Sequence, residues 1–575
     1  MQALPGSRLL ATHRRTCAWS AMLPGMQLHA ENPEFQKYEK QIFYGAKILP
    51  RYFLIQDWSN NCLVVDACRS SSGTCGDVLW PRTILPDKID MQYISSIIST
   101  CSANHDDCRI YGTQVEGLSV IDCMTSNIIL APPDCQYLAL SYVWGATGEK
   151  KDTFPKVVQD SITVAKELGY KYLWVDRYCI DQDATHQQHI FNQMHRIYSG
   201  ASVTIIAAAG NDAEHGLPGV SVRRPDQISL QFDYLHLTQI LPYDETDIVG
   251  STWNTRAWTY QESYFSTRRL IFTEKQVLYI CNESRQAEAL PAAMALSNSP
   301  GSDLPQLRHP FIVDIDALRN DITIYTQRHL TYSSDSLNAI LGVIRYYMEF
   351  SSDDLKIRNI WGVPLYLVLK SQELLLDLAW FHRSPGRRRP EFPSWSWAGW
   401  EGGVDWDSHL FGREIDWFCQ DDSQQIFTRE SLLTYAEKDG DHPRGLVIAA
   451  KISPVFLEPP HGSEDTSSFG VRFPSGDGYI LVDDCSWDEP PSPNGEYYAV
   501  DLDKHHGSST HFLYPWDEEP YCMMILEKKG HQFERIGISN DGCCHLYDAD
   551  GVSVRNQNAG ALLFANSQTE RICII

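Results

Sequence analysis

The chain has 575 residues, with 48 basic and 73 acidic side chains and a formal net charge of −25. That balance excludes general nucleic-acid binding, which draws on a basic surface, and disfavours docking on anionic membranes. No apolar run approaches the roughly 18 residues needed to span a bilayer, and the length suggests several domains of about 150 residues each.

Residues 1–50 read as a poorly defined tail. Arg8, Arg14 and Arg15 precede the first acid, Glu31, in a weak likeness to a transit peptide. Pro5 and Pro24 interrupt that pattern, and Met22 or Met26 serves equally well as the start. Residues 51–130 form a lead-in that holds many of the 16 cysteines. The cysteines are spread along the chain, which carries no secretory signal pattern, so they read as reduced thiols in a cytoplasmic protein. The segment Ile89 to Ser99 has helical periodicity. Just after it, Cys101, His105 and Cys108 fit one helical face, and zinc takes such ligands. There is no CxxC knuckle and no identifiable fourth ligand, so no metal site is assigned and the three read as packed side chains.

Pro132 and Pro133 mark a boundary. Tyr137 to Gly145, YLALSYVWG, alternates as a strand does. A helix is expected from about Pro155, with Val158, Ile162, Ala165 and Leu168 as its apolar stripe and Gly169 as its stop. Tyr172 to Gln182, YLWVDRYCIDQ, is an apolar strand that turns abruptly into Asp176, Arg177, Asp181 and Gln182. Residues just past a strand's carboxyl end line the ligand crevice of open α/β sheets. The plainer reading of Asp176 and Arg177 is a helix cap or an ion pair. A helix from about His186 to Tyr198 and a buried strand in Ala201 to Ala209 follow. Trp253 to Glu262, WNTRAWTYQE, places Trp258 and Glu262 on one face if helical. Short strands are expected at Leu270 to Thr273 and Val277 to Cys281. The succession predicts α/β architecture with a doubly wound, mostly parallel sheet over 131–285.

Residues 286–305 read as a linker. Residues 306–410 read as helical, over Tyr325 to Leu330, Asp335 to Met348 and Leu365 to Leu378, with PSWSWAGW at Pro393 to Trp400 as a packed tryptophan cluster. Residues 411–575 read as a β-rich sandwich or barrel, with strands at Leu446 to Leu457, Tyr479 to Val482, Tyr497 to Val500, Met523 to Glu527, Phe533 to Ile538 and Ala561 to Phe564. Signatures for a serine-hydrolase elbow, a phosphate loop, a zinc protease and a dinucleotide fold are missing. Cys179 has no histidine near it in sequence and reads as a packed thiol.

The blocks at 137–145, 172–182 and 253–262 together resemble the heterokaryon incompatibility (HET) domain of filamentous fungi. IYSGASVTIIAAAG at 197–210, GLPG at 216–219, YTQRHLTYSSDSLNAILGV at 325–343 and PSWSWAGW fit the same family. The resemblance implies non-self recognition and regulated cell death through an unnamed incompatibility partner protein, with no cofactor required. The HET domain is in turn similar to TIR domains, which adds a TIR-like, flavodoxin-like expectation for the fold and self-association as homo-oligomers. By that similarity Glu262 is the catalytic carboxylate and NAD the substrate. Trp258 or Trp144 would stack on the nicotinamide, Arg256 would hold a phosphate, and Ser141 or Asp176, beside Arg177, would bind ribose. The other reading makes Trp253 and Trp258 core residues, pairs Arg256 with Glu262, and leaves a non-enzymatic module that self-associates or docks on partners.

Overall fold

The computed structural model describes residues 43–49, 52–57, 62–66, 82–109, 115–145, 153–180, 190–191, 193–227, 229–232, 235–241, 246–291, 296–297, 315–352, 354–368, 373–406, 416–420, 426–427, 443–458, 468–475, 478–488, 495–502, 523–539, 546–547, 563–564 and 567–575. Two compact units divide the chain. The first takes 1–254 and 262–307, the second 255–261 and 308–575.

In chain order the first unit contains β1 (Phe43–Leu49), β2 (Tyr52–Asp57), β3 (Cys62–Asp66), α1 (Met91–Asn104), β4 (Ser119–Asp122), β5 (Ile128–Leu130), β6 (Tyr137–Ser141), α2 (Lys156–Glu167), β7 (Tyr172–Val175), α3 (Asp176–Cys179), α4 (Met194–Gly200), β8 (Val203–Ala207), β9 (Ser229–Phe232) and β10 (Leu235–Ile240). Then come α5 (Trp258–Phe265), which belongs to this unit from Glu262 onward, β11 (Arg268–Phe272), β12 (Val277–Cys281), β13 (Ser284–Ala287) and β14 (Leu296–Ser297). A five-stranded sheet has the order β1-β2-β3-β10-β9, and a nine-stranded sheet the order β14-β13-β12-β11-β8-β6-β7-β4-β5.

The centre of the larger sheet is parallel: β6 pairs with β7 and β8, and β8 with β11. Numbered within this set, the order is 2-1-3-4, that of doubly wound sheets. Every residue of β6, β8 and β11 is buried, as expected for strands covered on both faces. Helix α2 connects β6 to β7 and buries Val157, Val158, Ile162, Val164 and Ala165. Its end is set by Gly169 at φ 84°, after which Tyr170 N–H reaches back to the Ala165 carbonyl at 2.8 Å.

The sheet departs from the mostly parallel expectation. Hairpin-connected strands add antiparallel edges, β4–β5 against β7 and β12–β13–β14 against β11. Two of those strands fall at the expected linker, 286–305. Ala289 and Glu288 are buried there, and Glu288 pairs with buried Arg224, which also donates to the Leu85 carbonyl at 2.6 Å. Ala289, which read as part of a loose connection, packs instead with Ile84 and Leu241. Of the expected helix at 186–198, residues 190–191 are helical and α4 covers its end, while 186–189 and 192, like Asp181 and Gln182, lie outside the described residues.

The second unit opens with helices Ile315–Thr326 and Asn338–Glu349. The expected helix at Leu365 to Leu378 is instead a three-stranded antiparallel sheet of Leu355–Ile360, Val363–Val368 and Glu373–Leu376. A continuous apolar run does not distinguish strand from helix, and the turn decides. Trp361 and Gly362 both have positive φ, the two-residue hairpin geometry that joins Ile360 to Val363. The indole N–H groups of PSWSWAGW all reach backbone carbonyls: Trp395 to Arg444, Trp397 to Gly362 and Trp400 to Ser394, each at 2.8 Å. This is the packed cluster expected. Beyond it, the ladder from Gly445–Glu458 runs through Ser468–Ser475, Gly478–Trp487, Gln532–Ser539, Met523–Lys529 and Tyr497–Asp501, and returns to Gly445–Glu458. Of the expected strand at Ala561 to Phe564, Ala561 and Leu562 lie outside the described residues, and Leu563 and Phe564, in helix and turn, fill the core of this region with their side chains.

Candidate active site around Glu262

Strand β6 delivers Ser141 to the carboxyl end of the parallel core, where open α/β sheets bind ligands. The Ser141 hydroxyl donates to Glu262 Oε2 and accepts from Trp253 Nε1 at 2.7 Å. An indole N–H can only donate, so it takes a lone pair of the hydroxyl and leaves the hydroxyl proton for the carboxylate. The chain Trp253–Ser141–Glu262 therefore runs in one sense and ends on the carboxylate as acceptor. All three residues are buried, and Trp253 also packs with Val143, Ile206, Ile248 and Ile271. Helix α5 holds the carboxylate from the other side, with Ser266 Oγ bonded to the Glu262 carbonyl at 2.6 Å and to Thr204 Oγ1 at 2.7 Å.

Two tyrosines border this centre. Burial pushes the Tyr198 phenol well above its ordinary pKa, and the charges of Glu262 and Asp176 add to that. Tyr142 is raised in the same way, by burial and then by Asp176. Both stay protonated across the physiological range. The Tyr142 hydroxyl is buried and has no hydrogen-bond partner among the described residues. Such a group costs about 1–3 kcal/mol, a cost that a bound ligand would relieve.

A second group stands at the ends of β6 and β7. Trp144 donates its indole N–H to Asp176 Oδ2 at 3.0 Å, and the Arg177 guanidinium lies 5.4 Å from the Trp144 ring centroid. Asp176 Oδ1 also accepts from Arg177 N at 2.6 Å. Trp144 is 39% exposed, so its ring offers a face. Gly145 makes this presentation possible. Its φ is 88°, and a Cβ there would meet Asp212 Cβ at 2.9 Å.

The structure thus gathers Ser141 with Glu262, and Trp144 with Asp176 and Arg177. Arg256 and Trp258 fall in the second unit. There Trp258 donates to Asp335 Oδ2 at 3.2 Å, and the Arg256 carbonyl accepts from Arg328 at 3.2 Å. The Cys179 thiol is buried and accepts from Val175 N at 3.4 Å, a packing role. GLPG is also a packing device: buried Asp160 of α2 takes Leu217 N and Ser221 Oγ, each at 2.6 Å. Cys101, His105 and Cys108 do converge, and Cys281 joins them. The positioning parts of Trp253, Tyr142 and Tyr198 were missed in the sequence, although each sits inside a quoted block. The available signal was that buried Trp and Tyr need a partner for their polar tip.

Fold and site together define an α/β unit with an oriented, buried carboxylate at the carboxyl edge of its parallel strands. Residues 137–262 match the family model described as heterokaryon incompatibility protein (HET). The chain therefore carries a HET domain, and Ser141, Trp144, Asp176, Arg177, Trp253 and Glu262 all lie within the matched residues. No curated protein and no solved structure matches the chain. Among the described residues no helix is long and apolar enough to cross a membrane.

Proposed function

We propose that this protein is an effector of incompatibility, acting in non-self recognition and regulated cell death, and that its α/β unit cleaves the nicotinamide–ribose bond of NAD at Glu262. The observation that carries this reading is the Trp253–Ser141–Glu262 chain, which fixes a buried carboxylate where doubly wound sheets bind ligands. Nicotinamide leaves from a cationic ring and takes the bonding pair with it, so no acid is needed to protonate the leaving group. The ribose carbon becomes oxocarbenium-like, and a fixed carboxylate stabilises that charge. Water then adds to the same carbon and loses its proton. The Trp144 face and Asp176 suit the nicotinamide ring and a ribose hydroxyl. The TIR-like character of the fold belongs to this proposal, supported by the 2-1-3-4 strand order. So do self-association, a cytoplasmic setting and recognition of a partner protein.

Nicotinamide release from NAD by the full-length protein, with and without Glu262→Gln, is the test. Release that disappears in a folded variant supports the reading. A second reading draws on Trp258 and Arg256, whose contacts hold them in the second unit. On that reading the two residues are structural, in a signalling module without chemistry. Absence of release at every protein concentration, from a protein that still arrests growth when expressed, favours that module.

A further inference from the structure

We propose that Cys101, His105, Cys108 and Cys281 form a structural zinc site that pins α1 and the turn after it to the antiparallel edge of the nine-stranded sheet. One ligand atom from each residue lies within 4.8 Å of every other. Tetrahedral zinc with the usual bond lengths spaces two sulfurs about 3.8 Å apart and a sulfur and a nitrogen about 3.6 Å apart. Cys281 Sγ and His105 Nδ1 are already at 3.3 Å. The three cysteines are buried and stand outside any disulfide. Four protein ligands leave no open position, which is the pattern of a structural rather than a catalytic site. Three sulfurs and one imidazole select zinc over the hard oxygen-seeking cations.

The surroundings fit a metal centre. Arg268, buried, directs Nε at Cys101 Sγ at 3.3 Å and an amino group at the Cys108 carbonyl at 2.8 Å. Zinc with three thiolates and a neutral imidazole carries one net negative charge, and the guanidinium balances it. Ser284 N donates to Cys281 Sγ at 3.3 Å, a backbone bond of the kind that orients a ligating thiolate. The turns that carry the ligands are also tied together: Asp107 N bonds to Glu283 Oε1 and Asn282 Nδ2 to the Asp107 carbonyl, each at 2.9 Å. The ligands reach the site from elements far apart in the chain, since Cys281 lies 176 residues beyond His105.

The experiment measures metal in full-length protein purified without chelators. About one zinc per chain is expected. Replacing the metal with Co²⁺ should give the charge-transfer and d–d absorption of a tetrahedral cobalt–thiolate centre. Cys281→Ser should lose most of the zinc, whereas Cys135→Ser, at a thiol outside the cluster, should keep it. If Cys281→Ser does not fold, His105→Asn at the half-buried ligand and the cobalt spectrum of the unaltered chain carry the test. Wild-type protein that holds no zinc and gives no thiolate absorption with Co²⁺ overturns the proposal, as does full zinc retention in a folded Cys281→Ser protein.

Discussion

Asp488 of the second unit and Glu262 of the first are both buried carboxylates, and they keep different company. Asp488 meets Arg535 Nε at 2.7 Å and His382 Nδ1 at 2.9 Å. Arg535 in turn donates to the Leu378 and Trp380 carbonyls and lies 3.4 Å from the Trp380 ring centroid. Burial acts to raise the Asp488 pKa, but Arg535 and then His382 outweigh it and hold it below the usual carboxylate range. Glu262 receives a neutral hydroxyl whose direction is set by an indole. A carboxylate locked between a guanidinium and an imidazole is part of the scaffold. Under the proposed function, the one oriented by a hydroxyl faces a developing cation. Burial alone does not separate those two roles.

The comparison breaks most readily at Asp488. Asp488→Asn leaves Arg535 without its counter-charge in the interior and should cost about 3–5 kcal/mol, read as a lower denaturation midpoint of the full chain. A loss under about 1 kcal/mol would place Asp488 outside the scaffold. Glu262→Gln should do the reverse. Nicotinamide release should fall about 10²–10³-fold, with denaturation nearly unchanged, because the amide still accepts from Ser141. Trp253→Phe removes the donor that orients Ser141. About 1–3 kcal/mol of stability should be lost along with a partial loss of release, whereas equal release would remove the indole from the site.

The pH profile sharpens the same contrast. The folded-state pKa of Asp488 is depressed, so its contribution to stability is fully present above the unfolded value, about 4. It is lost as pH falls through the folded value. Melting temperatures below pH 4 should drop steeply in the wild type and less so in Asp488→Asn. Trp144→Phe, at the exposed rim, should change stability by about 1 kcal/mol or less while weakening substrate binding, seen as a raised KM with kcat little changed.

How much of this was legible depended on distance along the chain. The apolar runs of β6, β7 and β8 announced a buried parallel core, because each strand's signal is local. Ser141 and Glu262 stood in the quoted blocks, but their contact spans 121 residues, and only the fold brings it about. Cys101, His105 and Cys108 were visible as a short cluster, while Cys281 stood in an unremarkable strand. Arg256 and Trp258 entered as site residues through the TIR similarity; in the fold the Trp258 indole bonds to Asp335 and the Arg256 backbone carbonyl accepts from Arg328, contacts that no sequence spacing announces. The apolar run after Trp361 was misread as helix because a buried strand and a buried helix share a composition, and only the Trp361–Gly362 turn separates them.

The edges of the nine-stranded sheet bear on how the protein is made. Synthesis from the amino terminus has produced Glu262 before β11, the fourth parallel strand, exists at all. Until residue 272 has emerged, β8 presents an unpaired edge, and until Cys281 follows, α1 lacks its anchor on β12. The incompatibility segment, 137–262, thus spans less than its own fold. A ribosome-bound chain stopped at 262 should be open to protease, and one released after 297 should resist it. The order of synthesis itself would then delay assembly of the carboxylate centre until the surrounding sheet is nearly complete.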